Sequence, residues 1–192
     1  MTLRIALVLF AALGACPHNA AAQVIDYSRS QITILSRQMN VPVEATLKKF
    51  TAQVAFDPAK PETGKARFEV DLNSFDIGDP EIIDSLRDRY WFDTKNYPTA
   101  VFTSTSLRPL GNNRYEVRGP LTMKGRTHEV AATFTLRMNG PDRIFEGTFP
   151  VRRLQYNVGD AHWRDTSVVA DEVQIRFRLY QTASKSAPAK TS

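Results

Sequence analysis

Cysteine and histidine are scarce in this sequence. One cysteine occurs among the 192 residues, so an intramolecular disulfide is excluded. Three histidines leave little material for a nitrogen-ligated metal site. The sequence contains no H-x-x-x-H, C-x-x-C or G-x-S-x-G pattern, the spacings typical of zinc enzymes, thiol redox proteins and serine hydrolases. We therefore expect no metal, no cofactor and no enzymatic activity.

The sequence also has no large excess of apolar residues and no block of one charge. Apolar residues make up 42% of the chain and the mean hydropathy is −0.32, which excludes a polytopic membrane protein. Lys and Arg number 25 against 20 Asp and Glu, and the two signs alternate along most of the chain. Nucleic-acid binding favours a basic stripe with aromatic platforms, so we expect no nucleic-acid partner.

The first 22 residues have the three parts of a secretory signal peptide. Arg4 precedes an apolar run from Ile5 to Leu13, and small residues at positions 20 to 22 form a cleavage site after Ala22. The run is too short to span a bilayer. A second interpretation stays open, because the segment LGAC ending at Cys16 resembles a bacterial lipobox and would give a lipid-anchored protein.

From residue 23 onward, apolar residues recur at every second position between clusters of Gly, Pro, Asn and Asp. This period predicts strands with one face toward a core and one toward water. The alternating sets are Ala66, Phe68, Val70 and Leu72; Tyr115 and Val117; Val130, Ala132, Phe134, Leu136 and Met138; Phe145, Phe149 and Val151; Leu154, Tyr156 and Val158; and Val173, Ile175, Phe177 and Leu179. Between Val43 and Phe56 the apolar parity changes around Lys48 and Lys49, which predicts a bulge at a barrel corner. We expect an all-β fold, an antiparallel barrel of about eight strands.

One stretch has the spacing of a helix instead. Asp79 is a predicted N-cap, followed by Pro80 at the first helical position. Apolar residues then recur at helical spacing at Ile82, Ile83, Leu86 and Tyr90, which predicts one inserted helix from about Asp79 to Trp91. Residues 181 to 192 carry no large apolar side chain and are predicted to be a disordered tail, leaving residues 23 to 180 as one domain.

Three segments resemble the YceI family of exported bacterial proteins. They are YWFDTKNYPTAVFTST (Tyr90–Thr105), GPLTMKGRTHEV (Gly119–Val130) and the closing segment from Val151 to Phe177. The resemblance implies a periplasmic, lipocalin-like barrel that holds a long isoprenoid lipid such as a polyprenyl quinone. Some relatives are fused to or associated with cytochrome b561-like membrane proteins, which implies such a partner here. Whether the protein forms a homodimer stays open.

The strand pattern alone does not decide whether the barrel is filled. A barrel of about eight strands is at the size where side chains fill the interior or one small ligand fits inside it. If it is open, we expect the ligand to contact the apolar strand faces and the helix, namely Phe68, Ile82, Leu86, Tyr90, Phe102, Phe134, Phe149 and Phe177. Three functions remain: an isoprenoid carrier, a stress-induced interaction protein with a filled barrel, and a lipocalin-like enzyme.

Overall fold

A computed structural model describes residues 23 to 183, which form twelve strands, one α-helix and three short 3-10 helices. The strands are β1 (Gln23–Ile25), β2 (Gln31–Gln38), β3 (Val41–Leu47), β4 (Phe50–Ala55), β5 (Lys65–Asp71), β6 (Phe75–Asp76), β7 (Thr99–Thr103), β8 (Ser106–Gly111), β9 (Arg114–Met123), β10 (Arg126–Asn139), β11 (Asp142–Arg152) and β12 (Glu172–Ala183). The helix α1 spans Pro80–Arg87, and the 3-10 helices span Pro61–Thr63, Arg153–Tyr156 and Ala161–Arg164. The predicted signal peptide and lipobox lie outside the described residues.

All twelve strands belong to one antiparallel sheet that curls into a barrel. Its order is β4, β5, β7, β9, β10, β11, β12, β2, β3 and β6, with β1 beside β12 and β8 beside β9. The predicted all-β antiparallel barrel is confirmed, with more strands than the eight expected. Part of the excess arises at Lys48 and Lys49, where the chain leaves the ladder and one predicted strand becomes β3 and β4. Short pieces such as β1 and β6 supply the rest.

The barrel has a seam along the outer edge of β4. This edge pairs with no other strand in the described part of the chain. Side chains bond to it instead: the Ala52 N–H donates to Tyr27 Oη (3.1 Å), Gln181 Nε2 donates to the Val54 carbonyl (2.8 Å) and Arg143 Nη1 donates to the Phe56 carbonyl (2.8 Å). Edge groups are thereby satisfied without a strand ladder.

Two local predictions are corrected by the structure. The segment with Leu154, Tyr156 and Val158 is not a strand: the chain forms the 3-10 helix Arg153–Tyr156 and then turns at Asn157, whose φ is 58°. Tyr156 and Val158 are nevertheless buried. Met138, predicted to face the core, is 61% exposed at the end of the β10–β11 hairpin.

The helix begins as predicted and ends earlier. The Asp79 carboxylate accepts hydrogen bonds from the amides of Glu81 and Ile82, so it caps α1. The helix stops at Arg87 because Asp88 is extended, with ψ at 159°. No helix among residues 23 to 183 is long and apolar enough to cross a membrane.

The last strand extends into the segment predicted to be a disordered tail. β12 continues to Ala183, and residues 181 to 183 pair with β1. Gln181 is 2% exposed because its amide side chain reaches the β4 edge. The remaining residues of that segment lie outside the described part of the chain.

Candidate functional site

The barrel encloses an inner cavity of about 150 Å³. Strand alternation directs apolar side chains of the long strands into this space, since a barrel has a single inside face. Five of the aromatic residues predicted to contact a ligand line it: Phe68, Phe102, Phe134, Phe149 and Phe177. Among the described residues, Lys65 is the single charged residue of its lining. The cavity is therefore a hydrocarbon environment.

Four aromatic rings close one end of this cavity. Phe56 lies at the centre, with its ring centroid 4.9 Å from that of Tyr115, 5.9 Å from Phe134 and 5.8 Å from Phe145, all edge to face. All four side chains are buried. Edge-to-face contacts of this kind stabilise beyond the burial of area alone, so this end is a packed core.

A second cavity of about 250 Å³ lies at the opposite end, and we call it the mouth cavity. It is bounded by α1, by the β2–β3 hairpin and by the segment from Arg153 to Val169. Ile82 and Leu86, two of the residues predicted to contact a ligand, line it from α1. The inner and mouth cavities adjoin, because five residues line both: Ile34, Phe92, Met123, Val151 and Ile175.

Tyr90, the remaining predicted contact, does not line either cavity. The helix ends three residues before it, so Tyr90 no longer shares the face of Leu86. Its ring instead lies under the Arg89 guanidinium, 4.6 Å from the centroid, and 6.3 Å from the ring of His162. We correct this assignment to a position beside the mouth.

Arg153 lines the candidate site, although the sequence did not predict that it is buried there. It lines the mouth cavity, is 3% exposed, and burial lowers the pKa of its guanidinium. Its five N–H groups all donate to backbone carbonyls, those of Val158, Gly159, Trp163, Val169 and Ala170, at 2.6 to 3.0 Å. One buried cation thus fixes the whole wall segment on that side.

A second cation, Lys124, connects three segments of the chain beside the mouth cavity. Lys124, on the β9–β10 hairpin, donates through Nζ to the carbonyls of Arg89 (2.7 Å) and Asn157 (2.8 Å). Burial lowers the pKa of this ammonium group. The hairpin, the chain after α1 and the wall segment are therefore tied to one another on one side of the opening.

The family model for the YceI-like domain matches residues 23 to 180. The chain belongs to the YceI-like family. A crystal structure of BcnA from Burkholderia cenocepacia is 46% identical, covers 82% of this chain and 99% of that one, and superposes with a TM-score of 0.80. A polyisoprenoid binding domain from Saccharophagus degradans, implicated in plant cell wall breakdown, is 17% identical over 85% of this chain and 99% of that one, with a TM-score of 0.65. At 17% identity the second likeness shows the fold alone.

Curated relatives of this YceI-like chain are named UPF0312 proteins. One from Vibrio cholerae serotype O1 is 30% identical over 115 residues, which are 58% of this chain and 61% of the relative. One from Photorhabdus laumondii is 34% identical over half of each chain. The chain thus spans about half to three fifths of the length of these curated relatives.

Two titratable side chains of the YceI-like barrel, His128 and Tyr156, pack against each other beside the wall segment. His128 contacts the Gln155 carbonyl (3.0 Å), and its ring lies edge to face with Tyr156 at 5.0 Å. Burial raises the pKa of Tyr156 to about 12, so its phenol stays neutral. Between residues 23 and 183, no three His, Cys, Asp or Glu side chains lie where they could share a metal ion.

Proposed function

We propose that this protein is a periplasmic carrier that binds a long-chain isoprenoid lipid, such as a polyprenyl quinone, inside its barrel, and that it catalyses no reaction. The observation that supports the proposal is the apolar inner cavity, closed at one end by aromatic rings and adjoined at the other by the mouth cavity. A space of this shape fits a long, narrow hydrocarbon chain. The Saccharophagus degradans protein that shares this fold is described as a polyisoprenoid binding domain, which is in keeping with the proposal.

The energetics of such a ligand favour binding without catalytic groups. Each CH₂ group removed from water contributes about 0.8 kcal/mol, so a polyprenyl tail binds through burial alone. The inner cavity by itself is small for a ligand site, since such sites occupy about 300 to 1,000 Å³. The adjoining mouth cavity of about 250 Å³ brings the space into that range. The predicted signal peptide and the family resemblance support a periplasmic location and a cytochrome b561-like membrane partner.

The test is mass spectrometry of lipid extracted from protein purified natively from its host. We expect an isoprenoid lipid with the wild type and none with Leu86→Arg, because the new charge would lie against the mouth cavity. Leu110→Arg is the matched control, since Leu110 is 42% exposed on β8 at the far end of the barrel. Circular dichroism checks that both variants fold.

Two outcomes would contradict the proposal. Wild-type protein that carries no lipid, and binds none when it is added, would favour a filled barrel that works through its surface. Equal lipid retention in both arginine variants would show that α1 is not part of the binding site. The same preparation gives the intact protein mass: a chain beginning at Gln23 supports export as a soluble protein, and a lipid adduct on Cys16 contradicts it.

A further inference from the structure

The two ends of the barrel interior differ in a way that orients a ligand. One end is packed with the rings of Phe56, Tyr115, Phe134 and Phe145. The other end meets solvent at the mouth cavity, where Ile82 is 41% exposed and Gln38 is exposed. A polar head group favours water and hydrogen bonds over hydrocarbon, so the tail of an isoprenoid points toward the rings and its head lies in the mouth cavity.

Among residues 23 to 183, no cation with a free N–H group lines the mouth cavity. In the described structure, Arg153 is the single charged residue of its lining. A guanidinium has five N–H groups, and all five of Arg153 already donate to backbone carbonyls. A phosphate placed here would lose its hydration without gaining a charged partner, which is costly.

Uncharged hydrogen-bonding groups are present instead. Ser36 and Gln38 are two residues apart on β2, so their side chains lie on one face of the strand, and both line the mouth cavity. Neither side chain has a hydrogen-bond partner among residues 23 to 183, whereas Ser85 Oγ donates to the Glu81 carbonyl. The rings of Trp91 and Trp163, 5.4 Å apart, add an aromatic surface to the same cavity.

We propose that the mouth cavity binds an uncharged, hydrogen-bonding isoprenoid head group through Ser36 and Gln38, and that it discriminates against phosphorylated isoprenoids. This inference rests on the proposed function and names the class of lipid that the site accepts. Lys65 defines the competing arrangement, because it is the charged residue that lines the inner cavity in the described structure. It pairs with Ala55, next to Phe56, so it lies near the packed end and away from the mouth cavity. A phosphate bound there would require the ligand to enter in reverse.

The test compares a polyprenol with the polyprenyl monophosphate of the same chain length on delipidated protein. The chain has two tryptophans, and both line the mouth cavity, so intrinsic fluorescence reports occupation of this site. We expect the polyprenol to bind about tenfold more tightly or better. Equal or tighter binding of the monophosphate would overturn the inference. Binding of neither lipid would refute the proposed carrier function itself.

Charge variants make the test specific to the mouth. Gln38→Lys supplies the missing free cation and is expected to bring monophosphate binding to within about threefold of polyprenol binding. Gln53→Lys, on the exposed face of β4, is the matched control and should change neither affinity. An equal gain in both variants would contradict the inference. Lys65→Gln is expected to bind both lipids as the wild type does, and a selective loss of monophosphate binding would establish the reversed orientation.

Discussion

Replacing Phe134 or Phe68 by alanine separates the packed end of the barrel from its open interior. Both side chains line the inner cavity. Phe134 is 5% exposed, and its ring contacts those of Phe56, Tyr115 and Phe145. Phe68 is only half-buried although it points inward, and its nearest aromatic neighbour is Phe102 at 6.3 Å. The same chemical change therefore removes very different numbers of contacts.

The expected losses in free energy of unfolding follow from these surroundings. Phe134→Ala removes a well-packed ring and leaves a new void, so the delipidated protein should lose about 3 to 5 kcal/mol. Phe68→Ala enlarges a space that already exists, so the loss should be about 1 to 2 kcal/mol. Added lipid should stabilise the wild type by about 2.7 kcal/mol at a concentration one hundred times its Kd. Phe68→Ala should gain less from the lipid, because the ring contacts the bound chain.

The assay is urea unfolding of the wild type and both variants, each delipidated and then reloaded with a polyprenyl quinone. Equal slopes against urea concentration ensure that the midpoints report stability. A loss as large for Phe68→Ala as for Phe134→Ala, with no stabilisation of the wild type by lipid, would show that the interior is a filled core. That result would refute the reasoning from the cavity.

Two further predictions concern the scaffold. In Gly119→Ala the new Cβ would lie 2.0 Å from the Thr103 carbonyl oxygen, a backbone atom that cannot rotate away. The free energy of unfolding should therefore fall by about 3 kcal/mol or more, measured by thermal unfolding. An unchanged unfolding midpoint would contradict this. Hydrogen bonds from Arg108 and Arg118 lower the pKa of Glu116 from 4.5 to about 2, so its stabilisation is complete above pH 4.5 and is lost as the pH falls toward 2. Urea midpoints of Glu116→Gln should therefore vary less with pH in that window, and a variation equal to that of the wild type would count against the ion pairs.

The strand alternation was sufficient to predict the interior of the barrel. The period of two predicted that Phe134 and Phe177 face the core, and both line the inner cavity. This works because each strand has one inward face and all inward faces meet in a single space. The pattern fails at the end of the β10–β11 hairpin, where Met138 continues the period but is exposed to solvent.

Features that depend on contacts distant in sequence were not predictable in the same way. Tyr90 has helical spacing from Leu86, but the helix ends at Arg87, where Asp88 takes an extended conformation. Arg153 belongs to the closing segment that resembles the family, but nothing in the sequence predicts that its guanidinium is buried. Its role requires carbonyls as far away as Ala170, which no local pattern reveals. The sequence also predicted a strand over Leu154 to Val158, where alternate residues are buried by a 3-10 turn instead.

The seam along β4 is the weakest line in the described wall of the barrel, because no strand pairs with the outer edge of β4 there. Separating two paired strands breaks a ladder of backbone hydrogen bonds. Opening the barrel along the seam instead breaks the three side-chain hydrogen bonds of Tyr27, Gln181 and Arg143. At about 0.5 to 1.5 kcal/mol each, they stabilise the closed form by only a few kcal/mol. Amide hydrogens on the outer edge of β4 should therefore exchange with solvent through local opening, well below the free energy of global unfolding. The wall can loosen along this line while the rest of the sheet stays paired.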